Sequence, residues 1–157
     1  MKKQLLFISL AALMQSCGGG ATEQKTEQAV DPSSLYDRPQ PKNNDEKGIG
    51  KFTDVQLAEM LDHAKATNGE KVYDVKCQAC HKLTDEKLVG PGWAGVTTRR
   101  KPEWILNFIT NVDEMLSRDP VAMAQLEECL VRMPNQQLTD DDAFSVLEFM
   151  RKNDGVK

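Results

Sequence analysis

The 157-residue chain is poor in aromatic residues, which make up only 6% of the sequence. A core with so few large side chains is thin for this length, and small cores are often stabilised by a disulfide, a metal ion or a bound cofactor. No apolar run reaches the roughly 20 residues that a membrane-spanning helix needs. With 39% hydrophobic and 28% charged residues, the composition excludes a multi-span membrane protein, a collagen-like repeat and a fully disordered chain.

An excess of positive charge is also lacking. The chain has 20 basic and 24 acidic residues, so its formal net charge is −4 at pH 7. A negatively charged protein is repelled by phosphate backbones, and we therefore predict no nucleic-acid partner. Removal of the first 16 residues, which include two lysines and no acid, lowers the formal charge to −6. Such a surface favours electrostatic steering toward a basic partner.

Residues 1–16 have the pattern of an export signal that is removed from the mature protein. Lys2 and Lys3 precede a ten-residue stretch, 5–14, with a single polar member. The end of the segment reads LMQSC and resembles the processing site of bacterial lipoproteins, which implies cleavage before Cys17 and lipid attachment to that residue. We predict an exported lipoprotein of a bacterial membrane, facing the periplasm or the cell surface. The alternative is an ordinary secretory signal followed by an incidental cysteine.

Residues 17–51 are predicted to form a lipidated cysteine followed by a flexible linker. The segment has three glycines after Cys17, three prolines and few apolar residues. It cannot bury enough surface to fold alone. We expect it to tether one folded domain, residues 52–157, to the membrane.

The domain is predicted to be all-α, with four helices, and no stretch alternates convincingly as a strand. The first helix is predicted from about Thr53 to Cys77, with a break at Asn68-Gly69. The second and third begin at Pro102 and Pro120, because proline suits the first helical position.

The fourth helix is predicted to start at Thr139. This residue and Asp142 resemble a capping box, and the three aspartates that follow Thr139 suit a helix N-terminus. Apolar residues then recur at helical spacing and predict the core-facing side of the helix: Ala143, Val146, Leu147 and Met150.

Residues 77–81 read Cys-Gln-Ala-Cys-His, which is the attachment pattern of c-type haem. Two thiols at this spacing can each bond one vinyl-derived edge of the haem, and the adjacent histidine then supplies a nitrogen ligand to the iron. We therefore predict one covalent haem c, attached to Cys77 and Cys80 and ligated by His81.

Two other interpretations of these cysteines are open. Cys77, Cys80 and His81 suit a structural zinc site with a fourth ligand such as Cys129, and two nearby thiols suit a disulfide. Acylation of Cys17 would leave three cysteines, an odd number that weakens the disulfide interpretation. With haem attached, Cys129 is expected to be a small buried apolar residue.

The chain around this motif, about residues 68–154, resembles the class I cytochromes c. The resemblance implies a fold in which the N- and C-terminal helices cross and loops wrap around one haem. Gly69, eight residues before Cys77, matches a glycine that lets the first helix cross closely over the last. Tyr73 matches an aromatic position that packs into this crossing, against Phe144, Leu147 and Phe149.

The segment VGPGWAGV, residues 89–96, resembles the Gly-Pro loop of this family. The resemblance implies that the Pro91 carbonyl accepts a hydrogen bond from the second ring nitrogen of His81 and so orients the imidazole. It also implies that Arg99 lies near a haem propionate. A solvated Arg99 is the alternative.

The resemblance further implies that a methionine from a late loop is the second axial ligand. Met133 is the candidate, because Pro134-Asn135 places it on a loop, 52 residues after His81. The alternatives are a core or surface role for Met133, and ligation by His63, the only other histidine. The other methionines of the mature chain precede the motif or lie in or beside predicted helices: Met60, Met115, Met123 and Met150.

Two filled axial positions suit electron transfer and do not suit binding of oxygen or peroxide. We therefore predict a monomeric single-electron carrier, not an enzyme, that docks transiently on redox protein partners. A gas sensor or a small haem enzyme with a labile sixth ligand is the alternative. The segments KGIG, TTRRKPEWI, DPVA and MPNQQLT resemble small cytochromes found alongside bacterial nitrous oxide reductases, which implies electron delivery to that copper reductase.

Overall fold

A computed structural model describes residues 46–157, and the export signal, Cys17 and most of the predicted linker lie outside this part. The fold is all-α, as predicted, and within residues 46–157 the only strand-like pairing is a single antiparallel bridge between His81 and Lys87. None of the helices in this part is long and apolar enough to cross a membrane. The helices are α1 His63–Lys76, α2 Val96–Arg99, α3 Pro102–Thr110, α4 Val112–Arg118, α5 Pro120–Cys129 and α6 Asp140–Asn153.

Helix α1 begins ten residues later than predicted, and it is not broken. Asp62 caps its N-terminus by accepting a hydrogen bond from the Lys65 amide at 3.0 Å. The helix continues through Asn68-Gly69, so the predicted break is wrong. Gly69 lies where α1 meets α6, and a Cβ there would come within 2.0 Å of the Ser145 carbonyl oxygen. The glycine therefore permits a close helix crossing and does not end the helix.

Residues 46–62, which we call the leading segment, precede α1 without forming a helix. Buried Asn107 of α3 binds this segment through both ends of its amide: Nδ2 donates to the carbonyls of Lys47 and Phe52, each at 2.9 Å, and Oδ1 accepts from the Phe52 amide at 3.0 Å. Because a side chain satisfies these backbone groups, a helix is not needed to pair them. The end of the predicted linker, residues 46–51, thus lies against α3.

A buried ion pair on α6 holds the second half of the leading segment. Arg151 and Glu148 lie 2.6 Å apart, and their side chains are 9% and 7% exposed. Arg151 also donates to the carbonyls of Ala58 and Glu59, while Glu148 accepts from the Asp62 amide. These additional hydrogen bonds are what a buried ion pair requires to offset its desolvation.

The second predicted helix corresponds to α3, and α4, which was not predicted, follows it directly. The boundary between them falls at Asn111, which has a non-helical conformation and whose side chain donates to the Ile49 carbonyl at 3.2 Å. Helix α5 begins at Pro120, as predicted. Asp119 caps it, because its Oδ1 accepts from the amides of residues 121 and 122.

Helix α6 has the predicted start and the predicted core face. Thr139 and Asp142 form a reciprocal capping box. The four predicted core residues are each 3% exposed or less. At the crossing with α1, the rings of Tyr73 and Phe149 lie 5.4 Å apart. Phe144, which we expected at the same crossing, instead packs edge-on against Phe52 of the leading segment at 5.6 Å.

Candidate haem-binding site

The C-x-x-C-H motif forms a tight turn directly after α1. The amides of Cys80 and His81 both donate to the Cys77 carbonyl at 3.0 Å. Cys77 is buried, whereas Cys80 and His81 are half-buried. The turn therefore brings two thiols and one imidazole together at the end of a helix that α6 anchors.

The imidazole of His81 is held in one orientation. Its Nδ1 lies 2.9 Å from the Pro91 carbonyl oxygen, the contact that the sequence resemblance implies. A carbonyl only accepts hydrogen bonds, so Nδ1 carries the proton and Nε2 keeps its lone pair. Burial lowers the pKa of His81 below its ordinary value, although the Pro91 contact opposes part of this shift. The ring is therefore neutral at pH 7 and suited to bind a metal through Nε2.

Residues of the Gly-Pro loop confine the ring further. A Cβ on Gly90 would lie 2.4 Å from Cε1 of His81, so only glycine lets the backbone pass this close to the imidazole. The indole of Trp93 lies 5.8 Å from the imidazole and 4.9 Å from the ring of Tyr73. Sequence reasoning missed the roles of Gly90 and Trp93, and the only signal for them was their place beside Pro91.

Tyr73 supports His81 from the other side, through the backbone. Its hydroxyl donates to the His81 carbonyl at 2.7 Å, and its side chain is buried. The sequence resemblance pointed only to its aromatic ring. The position of His81 is thus held by a hydrogen bond to its ring, a hydrogen bond to its backbone and close packing on its face.

The thiols do not have the surroundings of a zinc or disulfide site. Within residues 46–157 no cysteine is disulfide-bonded, and no group of three or more His, Cys, Asp or Glu side chains lies close enough to hold a metal ion. Burial raises the pKa of Cys77 to about 11 and also raises the pKa of Cys129. The zinc and disulfide interpretations therefore find no support in this part of the chain.

Four of the five candidate methionines are occupied elsewhere or exposed. Met115 is fully buried, and its sulfur accepts a hydrogen bond from the Ile49 amide at 3.0 Å. Met150 belongs to the core face of α6. Met60 and Met123 are 75% and 42% exposed.

Met133 differs from these four. It lies between α5 and α6 outside regular secondary structure, and it is half-buried against the hydrophobic core. His63, the alternative second ligand, is exposed in the first turn of α1. Met133 is therefore the candidate whose surroundings best suit an inward-facing ligand.

Comparison with known proteins identifies the family. The sequence pattern of the family described as Cytochrome c matches residues 66–154, more than half of the chain. The chain belongs to the cytochrome c family. Members bind one covalent haem c and carry electrons between redox protein partners, and the two thiols and imidazole of the C-x-x-C-H turn are the groups that such a haem requires.

Solved structures agree with this assignment. Cytochrome c from Rhodothermus marinus is 33% identical over 79% of this chain and 97% of its own, with a TM-score of 0.66. An engineered form of that protein, Rma TDE, is 32% identical, with coverage of 79% and 98% and a TM-score of 0.66. The engineered form bound to a carbene intermediate has a TM-score of 0.63. A search of curated proteins found no match.

The surroundings of two adjacent arginines also test the fit to haem. Arg99 is exposed on α2, and its guanidinium donates to the Ala94 carbonyl. Arg100 is half-buried, with its guanidinium 5.1 Å from the ring of Trp104. Its Nε is the only buried side-chain nitrogen or oxygen in residues 46–157 without a hydrogen-bond partner, and burial lowers the pKa of Arg100. A buried donor without a partner fits an anionic group such as a haem propionate.

Proposed function

We propose that this cytochrome c is a single-electron carrier in which His81 and Met133 would both ligate the haem iron. The proposal rests on the neutral imidazole of His81. Its Nδ1 lies 2.9 Å from the Pro91 carbonyl oxygen, so Nε2 is the nitrogen that can bind iron. Haem c, when bound, supplies one-electron oxidation and reduction of its iron. A thioether from Met133 would favour the ferrous state and close the iron to small molecules.

The remaining residues of the site keep the ligands in place. The Pro91 carbonyl retains the Nδ1 proton, and the hydroxyl of Tyr73 holds the backbone of His81. Gly90 and Trp93 limit rotation of the ring. Such outer contacts orient a metal ligand and raise its basicity, so the ligand geometry should change little between oxidation states.

We propose Arg100, and not Arg99, as the residue that binds a haem propionate. Each guanidinium donates to one backbone carbonyl, that of Arg99 to Ala94 and that of Arg100 to Arg99. Only Arg100 also has a buried donor, Nε, without a protein partner. The sequence resemblance pointed one residue earlier. Replacement of Arg100 by glutamine should lower the reduction potential and replacement of Arg99 should not, because only Arg100 would offset the propionate charge.

Absorption spectra of the haem-loaded chain test the ligand set. The expected result is a c-type spectrum with a sulfur-to-iron band in the oxidised state and no response of the reduced state to carbon monoxide. Met133→Ala should abolish the band and admit carbon monoxide. Met123→Ala is the matched control, because Met123 lies on the exposed side of α5, and it should leave both features unchanged. Rapid carbon monoxide binding by the unsubstituted protein would instead favour a gas sensor or a haem enzyme.

We propose that the protein is an exported, monomeric lipoprotein tethered through Cys17. The support is the LMQSC pattern and the glycine- and proline-containing segment that follows it. Cys17→Ser should release the protein from bacterial membranes and abolish incorporation of labelled palmitate. Membrane association that persists in this variant would contradict the tether.

We also propose a periplasmic reductase, specifically nitrous oxide reductase, as the electron acceptor. The support is the likeness of four short segments, among them residues 97–105 and 133–139, to cytochromes that accompany this reductase. The reduced protein, mixed with purified nitrous oxide reductase, should be oxidised when nitrous oxide is added. A rate no faster than that without the enzyme would reject this partner.

A further inference from the structure

Leu130 has two properties that are unfavourable for folding. It is the most exposed of the large hydrophobic residues in residues 46–157, at 86%. It also has a positive φ of 59°, in the left-handed conformation that ends α5 and that glycine or asparagine adopts more easily. A bulky side chain that is both exposed and poorly suited to its backbone contributes little to the core. Its side chain therefore remains available for contact with another molecule.

Other exposed apolar residues accompany Leu130. Val131 follows it, and Leu88 and Val89 belong to the segment between His81 and Pro91; these three are 36% to 54% exposed. The Lys87 ammonium joins the two segments by donating to the Glu128 carbonyl at 2.8 Å. We call the four apolar residues the Leu130 surface: Leu88, Val89, Leu130 and Val131.

The Leu130 surface borders the residues that hold the haem. The amide of Val89 donates to the Cys80 carbonyl at 3.3 Å. Leu130 and Val131 precede Met133 by three and two residues. A protein that covers this surface would therefore approach both the attachment turn and the loop of the second ligand.

The unpaired charge around the Leu130 surface is negative on balance. Within residues 46–157, Glu127, Glu128 and Asp85 form no ion pair. Of the nearby cations, Arg132 pairs with Asp113 at 2.7 Å, whereas Lys87 donates to the neutral Glu128 carbonyl and keeps its charge. Three unpaired carboxylates therefore outnumber one unpaired ammonium. The carboxylates are thus available to attract basic groups of a partner.

We infer that the Leu130 surface is the docking site for a redox protein that presents an apolar patch bordered by lysine or arginine side chains. This inference rests on the proposed function as an electron carrier, because it names the partner of the same site. In a symmetric contact between two copies of the chain, Glu127 and Glu128 of one copy would lie near the same residues of the other, and the two copies would repel each other. An anionic lipid surface would be repelled in the same way. A basic redox protein satisfies both the apolar and the charged parts of the surface.

A small cationic probe tests the surface without requiring electron transfer. Tris(1,10-phenanthroline)chromium(III) is tricationic, apolar at its rim, paramagnetic and difficult to reduce. Added to the reduced, haem-loaded full chain, it should selectively broaden the amide signals of residues 87–90 and 127–132, and roughly 0.5 M salt should suppress the effect. Broadening that is spread evenly, or centred elsewhere, would overturn the inference.

Paired variants separate docking from folding. Leu130→Asn combined with Glu127→Gln should weaken probe binding about tenfold, because an apolar contact and a charge are both removed. Its melting temperature should be unchanged or higher, because asparagine tolerates the positive φ. Met60→Asn with Glu59→Gln removes a comparably exposed pair from the leading segment and should leave binding unchanged. A lower melting temperature of the Leu130 variant would show that Leu130 serves packing, and would overturn the inference.

Oxidation kinetics distinguish this inference from the proposed function. Tris(1,10-phenanthroline)cobalt(III) is a redox-active analogue of the probe. It should oxidise the reduced unsubstituted protein about tenfold faster than it oxidises the reduced paired Leu130 variant. The rate of oxidation by anionic ferricyanide should differ much less between the two proteins. Rapid oxidation that is insensitive to the variant would leave the carrier function standing and overturn the docking surface. Selective probe binding without oxidation would support the surface and contradict the carrier function.

Discussion

Replacing Gly69 by alanine sets helix propensity against steric fit. In an exposed helix, replacing glycine by alanine would stabilise the protein by about 1 kcal/mol. At this position the new Cβ would lie 2.0 Å from the Ser145 carbonyl oxygen and 2.4 Å from its carbon. Both are backbone atoms of α6, so a side-chain rotation cannot relieve the contact, and the two helices must separate by about 1.5 Å to restore an ordinary contact distance. Overpacking costs up to about 3 kcal/mol, and we expect a net loss of about 2 kcal/mol in the free energy of unfolding.

Guanidinium denaturation of the haem-loaded protein, followed by far-UV circular dichroism, measures this loss. Gly69→Val should cost more than Gly69→Ala. Both substitutions place a Cβ 2.0 Å from the Ser145 carbonyl oxygen and 2.9 Å from the Cβ of Phe149, and valine adds two methyl groups at this crowded position. Lys71→Ala, an exposed position on the same helix, is the control and should change stability little. If Gly69→Ala is as stable as the unsubstituted protein or more stable, the steric account of the crossing is wrong.

Three further substitutions test other contacts. Gly90→Ala should displace the imidazole of His81, because the new Cβ would lie 2.4 Å from the ring. A redox titration should then give a shifted reduction potential, or the spectrum of the reduced protein should change when carbon monoxide is added. An unchanged spectrum and an unchanged potential would refute this. Thr139→Ala removes a capping box and should lower the free energy of unfolding by about 1 kcal/mol in chemical denaturation, whereas Thr139→Ser should not. Asn107→Ala leaves the Phe52 amide without its partner, so the exchange of that amide with solvent should accelerate more than roughly tenfold; unaltered exchange would show that Asn107 does not hold the leading segment.

Contiguous sequence signals predicted much of the fold and part of the site. Proline at the starts of α3 and α5, and the Thr139–Asp142 pair, located helix starts because each feature acts within a single turn. The C-x-x-C-H motif indicated covalent haem for the same reason, since its three reactive groups lie within five residues.

Other features could not be predicted from the sequence because distant residues decide them. Residues 53–62 of the leading segment were predicted as helix from their spacing, yet Arg151 binds the carbonyls of Ala58 and Glu59 in a different conformation. Arg99 and Arg100 are adjacent and chemically alike in the sequence. Only the packing of Arg100 on Trp104 leaves its Nε buried and without a partner.

The sequence by itself determined the all-α class, the capped helix starts and the chemistry of attachment, because periodicity, caps and the cysteine motif depend on neighbours within a few residues. Only the tertiary structure decided that Gly69 permits a crossing instead of breaking α1, that Met115 is engaged by Ile49, and that Gly90 confines His81. Each of these depends on atoms that are distant along the chain and that folding brings into direct contact. Local spacing carries no information about such contacts.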